Sequence, residues 1–199
     1  MSGFPILILA AGQSSRMRGA DKLLEDVGGM PLLRRQVKMA AATGAPVYVA
    51  LGPEQQSRRA VIDDLGATII ETADAHEGMG GTLRGAVPHL PECTAFMVVP
   101  ADLVALQTEH LKTVLDAARH DDTDHLIWRG ATQDGAPGHP IVFSNALRQE
   151  FVALSGDTGG APVVKRHADA TCLVTLPDEV ARLDLDTPED WALWRSSSS

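Results

Sequence analysis

Short apolar runs alternate with longer amphipathic stretches along the chain. Ile6-Leu7-Ile8-Leu9 and Phe96-Met97-Val98-Val99 are continuous rather than alternating. Such runs suit strands covered on both faces, as in a parallel sheet. Strands are predicted over residues 4–10, 47–51, 67–71, 95–99, 125–129, 140–143, 171–176 and 181–185. Helices are predicted over 31–43 and 54–65, each with a glycine (Gly44, Gly66) just past its end. A third covers 108–120, where Leu111, Val114, Leu115 and Ala118 form one stripe. Residues 145–154 and 188–194 complete the set. The last begins with Thr187 as N-cap, Pro188 at N1 and acids at 189 and 190. Trp191 and Trp194, three apart on that helix, read as core packing.

The order of elements predicts one doubly wound α/β domain, a mostly parallel sheet over residues 1–195 with a polar tail at 196–199. A length of 199 residues suits a single domain. In such sheets ligands sit at the carboxyl ends of strands, so the residues just after each strand are the candidates for chemistry. The stretch 129–138 reads as a glycine-containing loop, and 120–125 as a solvated connection between a helix and a strand.

Charge narrows the ligand. The chain carries 17 Lys and Arg against 26 Asp and Glu, a net charge of -9. That balance argues against nucleic acid and anionic membrane as partners. The first apolar run is too short to span a bilayer, and no Lys or Arg precedes it, so it reads as a buried strand rather than a signal-peptide core. Cys93 and Cys172 lie far apart without a CxxC, which predicts a reducing, cytoplasmic setting. Against the acidic background, Ala10-Ala11-Gly12-Gln13-Ser14-Ser15-Arg16-Met17-Arg18-Gly19-Ala20-Asp21-Lys22 stands out. It matches neither a dinucleotide fingerprint nor a Walker A loop. Its glycines, hydroxyls and three cations nevertheless suit a polyphosphate held directly after the first strand.

The same loop, continued by Lys22-Leu23-Leu24, resembles the signature of the molybdenum-cofactor nucleotidyltransferases, most closely their cytidylyltransferase-like branch. Further matches follow in order: Gly29-Met30-Pro31-Leu32-Leu33, Gly78-Met79-Gly80-Gly81-Thr82-Leu83, Pro100-Ala101-Asp102, Gly138-His139-Pro140, Gly156-Asp157-Thr158-Gly159 and Asp184-Leu185-Asp186-Thr187-Pro188. The resemblance implies a Rossmann-like nucleotidyltransferase fold and an Mg²⁺-dependent transfer of CMP from CTP to molybdenum-bound molybdopterin. It places Leu9, Ala10, Ala11, Gly12, Ser14, Gly80 and Thr82 beside the nucleotide, with Arg16 and Lys22 on the triphosphate. Asp102 and Asp186 become the metal ligands, with Asp184 competing for the second place because residues two apart in a strand share a face. Arg16, Lys22 and Asp102 carry the catalysis. His139, Gly156, Asp157 and Gly159 border the second substrate, although His139 reads equally as a structural histidine. Gly78–Gly81 reads either as a close-approach segment or as a plain loop before a helix starting near Thr82.

The preference for CTP rests on Ala11, where guanylyl-transferring relatives tend to have glycine. Val104 and Arg18 depart from the pattern, which more often has proline and glycine there. Two other readings share the fold or the ligand: a transferase with a different phosphorylated small-molecule acceptor, and a nucleotide-binding chaperone that serves an apo-molybdoenzyme.

Overall fold

The computed structural model describes residues 4–197. Seven strands form one sheet: β1 Ile6–Leu9, β2 Val47–Leu51, β3 Thr68–Glu71, β4 Ala95–Pro100, β5 Ile127–Ala131, β6 Pro137–Ser144 and β7 Thr171–Thr175. Their order is β3-β2-β1-β4-β6-β5-β7. All neighbours are parallel except that β6 runs antiparallel to both β4 and β5. The helices are α1 Leu32–Ala41, α2 Gln56–Ala60, α3 Met79–Ala86, α4 Thr108–His120, α5 Ala161–Arg166 and α6 Pro188–Ser197.

The continuous apolar runs do what their pattern predicts. Ile6 and Ile8 pack on one face with Leu33 and Val37 of α1, Leu111 and Leu115 of α4 and Trp191 of α6. Leu7 and Leu9 pack on the other with Leu83 of α3, Phe151 and Val163. Burial of both faces needs strands apolar at every position. Trp191 is buried and meets the Trp194 ring edge-on at 6.0 Å, which is core packing. Thr187 Oγ1 accepts from Asp190 N, while Asp190 Oδ2 accepts from Thr187 N. That reciprocal cap fixes the start of α6. The helix continues through Ser196 and Ser197, where the polar tail was expected, and residues 198 and 199 lie outside the described residues.

Four expectations are corrected. Residues 181–185 form no strand: Ala181 and Leu185 are buried, but the segment turns, and only Asp184 makes a bridge, to Leu103 beyond the end of β4. The chain thus crosses the strand ends instead of extending the sheet. Residues 129–138 are no open loop but the tight β5–β6 hairpin, closed by Thr132 N donating to Ala136 O. The 54–65 helix breaks after Ala60, because the fully buried Ile62 leaves helical geometry at φ −128° and a separate 3-10 turn covers Asp63–Leu65. Residues 145–153 are 3-10 rather than α-helical.

Helix α3 begins at Met79, three residues earlier than expected, with two glycines in its first turn. Both pack against backbone. A Cβ on Gly80 would stand 2.6 Å from the Ser155 carbonyl oxygen, and one on Gly81 2.2 Å from that of Asp74. The second glycine segment therefore lets a helix approach its neighbours closely.

Among the described residues, no helix is long and apolar enough to cross a membrane.

Candidate active site

A cavity of about 540 Å³ opens at the carboxyl ends of β1 and β4. That is the volume range of small-molecule sites. The loop after β1 forms one wall with Ala11, Gly12, Gln13, Ser14, Ser15 and Arg16. The start of α3 and the 3-10 turn before it (Ala73–Glu77) form the facing wall with His76, Gly78, Met79 and Thr82. Leu9, Lys22, Pro100, Asp102, Asp157 and Asp186 complete the lining.

The loop is tightly folded. Ser14 and Arg18 both have left-handed backbone, φ 50° and 52°, flanking a 3-10 turn at Ser15–Met17. Such alternation turns backbone N–H groups toward a common point. Arg18 stands at a φ that glycine, the residue the resemblance leads one to expect there, adopts freely. Its guanidinium leaves the cavity for Glu189, both side chains being exposed. Val104 is buried in the core, and its carbonyl accepts from Arg35.

The centre of the site is electrostatic. Lys22 Nζ donates to Asp102 Oδ2 at 2.6 Å and to Asp186 Oδ1 at 2.7 Å. The lysine is largely buried, with 14% of its side chain exposed. Burial pushes its pKa down, but Asp102 and Asp186 overcome that penalty and raise it. Arg16 Nη1 reaches Asp186 Oδ2 at 2.7 Å from a mostly exposed position. Asp184 joins the cluster: Asp102, Asp184 and Asp186 each bring an oxygen within 4.8 Å of the others. Loss of solvent, then the charges of Asp186 and Asp102, raise the Asp184 pKa. Burial works against the Asp186 carboxylate, yet Lys22 and Arg16 hold its pKa low. Three hard oxygen donors brought this close together fit a divalent cation such as Mg²⁺. Asp184 and Asp186 both belong to this cluster.

Most of the nucleotide and metal candidates thus share one cavity. Ala10, Gly80 and Asp184 do not line it: the first two are buried, and Asp184 is exposed. Among the second-substrate candidates Asp157 lines it, whereas Gly156, Gly159 and His139 do not. The Asp157 carboxylate occupies the space that a Gly78 Cβ would need, and Gly78 has φ 109°, so glycine is required there on two grounds.

His139 lies behind the carboxylates, where burial and Arg129 push its pKa down to about 4 against the pull of Asp102. It is neutral in the fold but charges in the unfolded chain, so the unfolded state binds the extra proton. The stability this neutral state contributes is complete above its ordinary pKa of 6.5 and is lost as pH falls toward 4. Urea unfolding should show a loss of up to ~3 kcal/mol across that window, with the slope flattened in His139→Gln. Equal slopes in the two proteins would refute this.

Several residues that hold the loop from behind carried no signal in the sequence. Gln55 Nε2 donates to Ala11 O at 2.9 Å, and Arg58 of α2 donates to Ala10 O, Ser14 Oγ and Asp21. A Gln or Arg in a charged helical stretch gives no hint of which loop it will meet. The Asp121–His125 stretch is an ordered turn: Asp121 accepts from Thr123, His125 and Trp128.

A family model described as MobA-like NTP transferase domain matches residues 6–171. Among solved structures, Rv0371c from Mycobacterium tuberculosis H37Rv is 25% identical with a TM-score of 0.83, covering 96% of each chain. A complex of Rv0371c with manganese superposes with a TM-score of 0.79 at 22% identity, covering 96% of this chain and 97% of that one. CMP:2-keto-3-deoxy-manno-octonic acid synthetase complexed with CTP has the same fold, with a TM-score of 0.75 at 17% identity and coverage of 99% and 98%. The bifunctional protein GlmU of Legionella pneumophila (strain Lens) is 28% identical over 124 residues, 61% of this chain. The chain spans about a quarter of the length of the curated relatives it matches, 27% in that case.

Proposed function

The chain belongs to the MobA-like NTP transferase family, and we propose that it is a nucleotidyltransferase that moves CMP from CTP to the terminal phosphate of molybdenum-bound molybdopterin. The observation that carries this reading is the Lys22–Asp102–Asp186 cluster on the floor of the cavity. Cation and carboxylates stand at the strand ends, opposite a glycine-rich loop of the right shape for a polyphosphate.

The chemistry balances simply. An oxygen of the acceptor phosphate attacks the α-phosphorus of CTP. The bond from that phosphorus to the bridging oxygen breaks, and pyrophosphate leaves with the electron pair. Two polyanions must approach, so charge neutralisation and alignment supply most of the rate. Arg16 and Lys22 hold the triphosphate, and the backbone of Ala11, Gly12 and Ser14 fixes its orientation. Asp102, Asp184 and Asp186 would hold Mg²⁺, which neutralises phosphate charge when bound. The manganese complex of Rv0371c supports a divalent metal in this fold, and the CTP complex of the octonic acid synthetase supports a cytidine nucleotide. The two free thiols, Cys93 and Cys172, accord with a cytoplasmic location.

Base choice rests on Ala11, which lines the cavity and is 4% exposed. One methyl group against a ligand is worth roughly 10–200-fold in discrimination. A screen of pyrophosphate release, each nucleoside triphosphate against molybdopterin and other phosphorylated acceptors, tests the proposal. Turnover with CTP should exceed that with GTP by at least ~10-fold, and only with the pterin acceptor. GTP preference overturns the cytidylyl assignment. Equal turnover on a sugar phosphate moves the acceptor.

A further inference from the structure

We infer that Arg58 is the positioning residue of the nucleotide loop, setting the place of Lys22 through Asp21. The inference rests on the nucleotidyltransferase reading of the site. Arg58 lies on α2, outside the cavity lining, and 3% of its side chain is exposed. Its guanidinium makes a two-point contact with Asp21, Nε to Oδ2 at 2.7 Å and Nη2 to Oδ1 at 2.9 Å. Nη1 donates to the carbonyl of Ala10, and Nη2 donates to Ser14 Oγ at 3.1 Å.

Those partners mark both ends and the middle of one loop. Ala10 is where the chain leaves β1. Ser14 is the left-handed residue at its bend, and Asp21 is where it ends. Asp21 in turn caps the 3-10 turn Lys22–Leu24, its carboxylate accepting from Leu23 N at 3.0 Å. Lys22 N donates to Ser14 Oγ at 3.3 Å. The backbone of Lys22 is therefore held on both sides by groups that Arg58 holds. From there Nζ spans the cavity to Asp102 and Asp186.

A buried ion pair contributes little net stability compared with apolar packing, because desolvation offsets its attraction. Its value is geometric, and a planar fork defines direction as a single ammonium does not. Arg58→Lys keeps the charge and loses the fork, so the fold persists while the loop shifts. A displacement of about 1 Å at a reacting group costs on the order of 100-fold.

The test is a double-mutant cycle read by CTP–Mg²⁺ binding and by pyrophosphate release. Arg58→Lys should lower kcat/KM ~10–100-fold. In a Lys22→Ala background the same change should cost less than ~3-fold, because the group it positions is gone. Asp21→Asn breaks the same link from the other side and should reproduce the Arg58→Lys loss, which covers the case of an unfolded Arg58 variant. Full additivity in the cycle, or wild-type kinetics in both single variants, overturns the inference. Wild-type protein that binds none of the four nucleoside triphosphates overturns it together with the function it rests on. Binding by the wild type with no change in Arg58→Lys or Asp21→Asn overturns it alone.

Discussion

Asp102→Asn is expected to lower kcat at saturating Mg²⁺ by at least ~10³-fold while leaving the protein as stable as before. The substitution keeps the shape of the side chain and an oxygen that accepts from Lys22 Nζ. It removes one of three negative charges whose oxygens lie within 4.8 Å of each other. For function that loss is severe, since a hard divalent cation held by carboxylates and phosphates depends on charge as much as on position. For stability the loss is close to neutral. The Asp102 share of the repulsion that, after burial and Asp186, raises the Asp184 pKa is relieved, and Lys22 keeps Asp186 as a full partner. Thermal unfolding should therefore stay within a few degrees of wild type, and Mn²⁺ binding followed by electron paramagnetic resonance should weaken with turnover. A variant retaining a tenth of wild-type kcat would remove Asp102 from the metal set.

That separation of activity from stability also marks what was legible in the sequence. Strand-forming runs such as Phe96–Val99 were legible because double-sided burial imposes a local pattern. The cap of α6 was legible because its chemistry is confined to a few consecutive residues. The strand expected at 181–185 was not, because a buried Ala181 and Leu185 look the same whether the chain extends a sheet or crosses its end. Lys22, Asp102 and Asp186 could be named from their motifs. Their meeting across 80 and 164 residues of separation is a property of the topology alone. The packing of Gly80 against the Ser155 carbonyl is a contact made by a distant segment, which its motif does not reveal. Arg58 and Gln55 are further cases of distant contact: their partners lie 37 to 48 residues away, so no local pattern could reveal them.

Replacing Lys22 should produce two effects of opposite sign on metal binding and turnover. Lys22→Met preserves most of the buried stem and deletes the charge. Without it, Asp102, Asp184 and Asp186 face one another with Arg16, whose side chain is 68% exposed, as the nearest described cation of the loop. Removing one partner of a largely buried ionic cluster is expected to destabilise the protein by ~1–3 kcal/mol in the absence of divalent cations, less than for a fully buried pair because the aspartates reach solvent. Turnover should fall by ~10²–10³-fold, since a cation aimed at developing phosphate charge is lost. Affinity for Mg²⁺ or Mn²⁺ without nucleotide should rise instead. In the wild type Lys22 Nζ sits between two of the carboxylates and neutralises them. Any entering cation must compete with it, whereas in the variant the carboxylates are unopposed. Melting curves with and without Mg²⁺ separate these effects: the ion should raise the Tm of Lys22→Met by several degrees more than that of the wild type. An equal Mg²⁺ shift in both proteins would mean that the lysine and the metal do not share these carboxylates. Lysine and metal would then act at separate points of the site, and the carboxylates that Lys22 contacts would not be the ones that hold the ion.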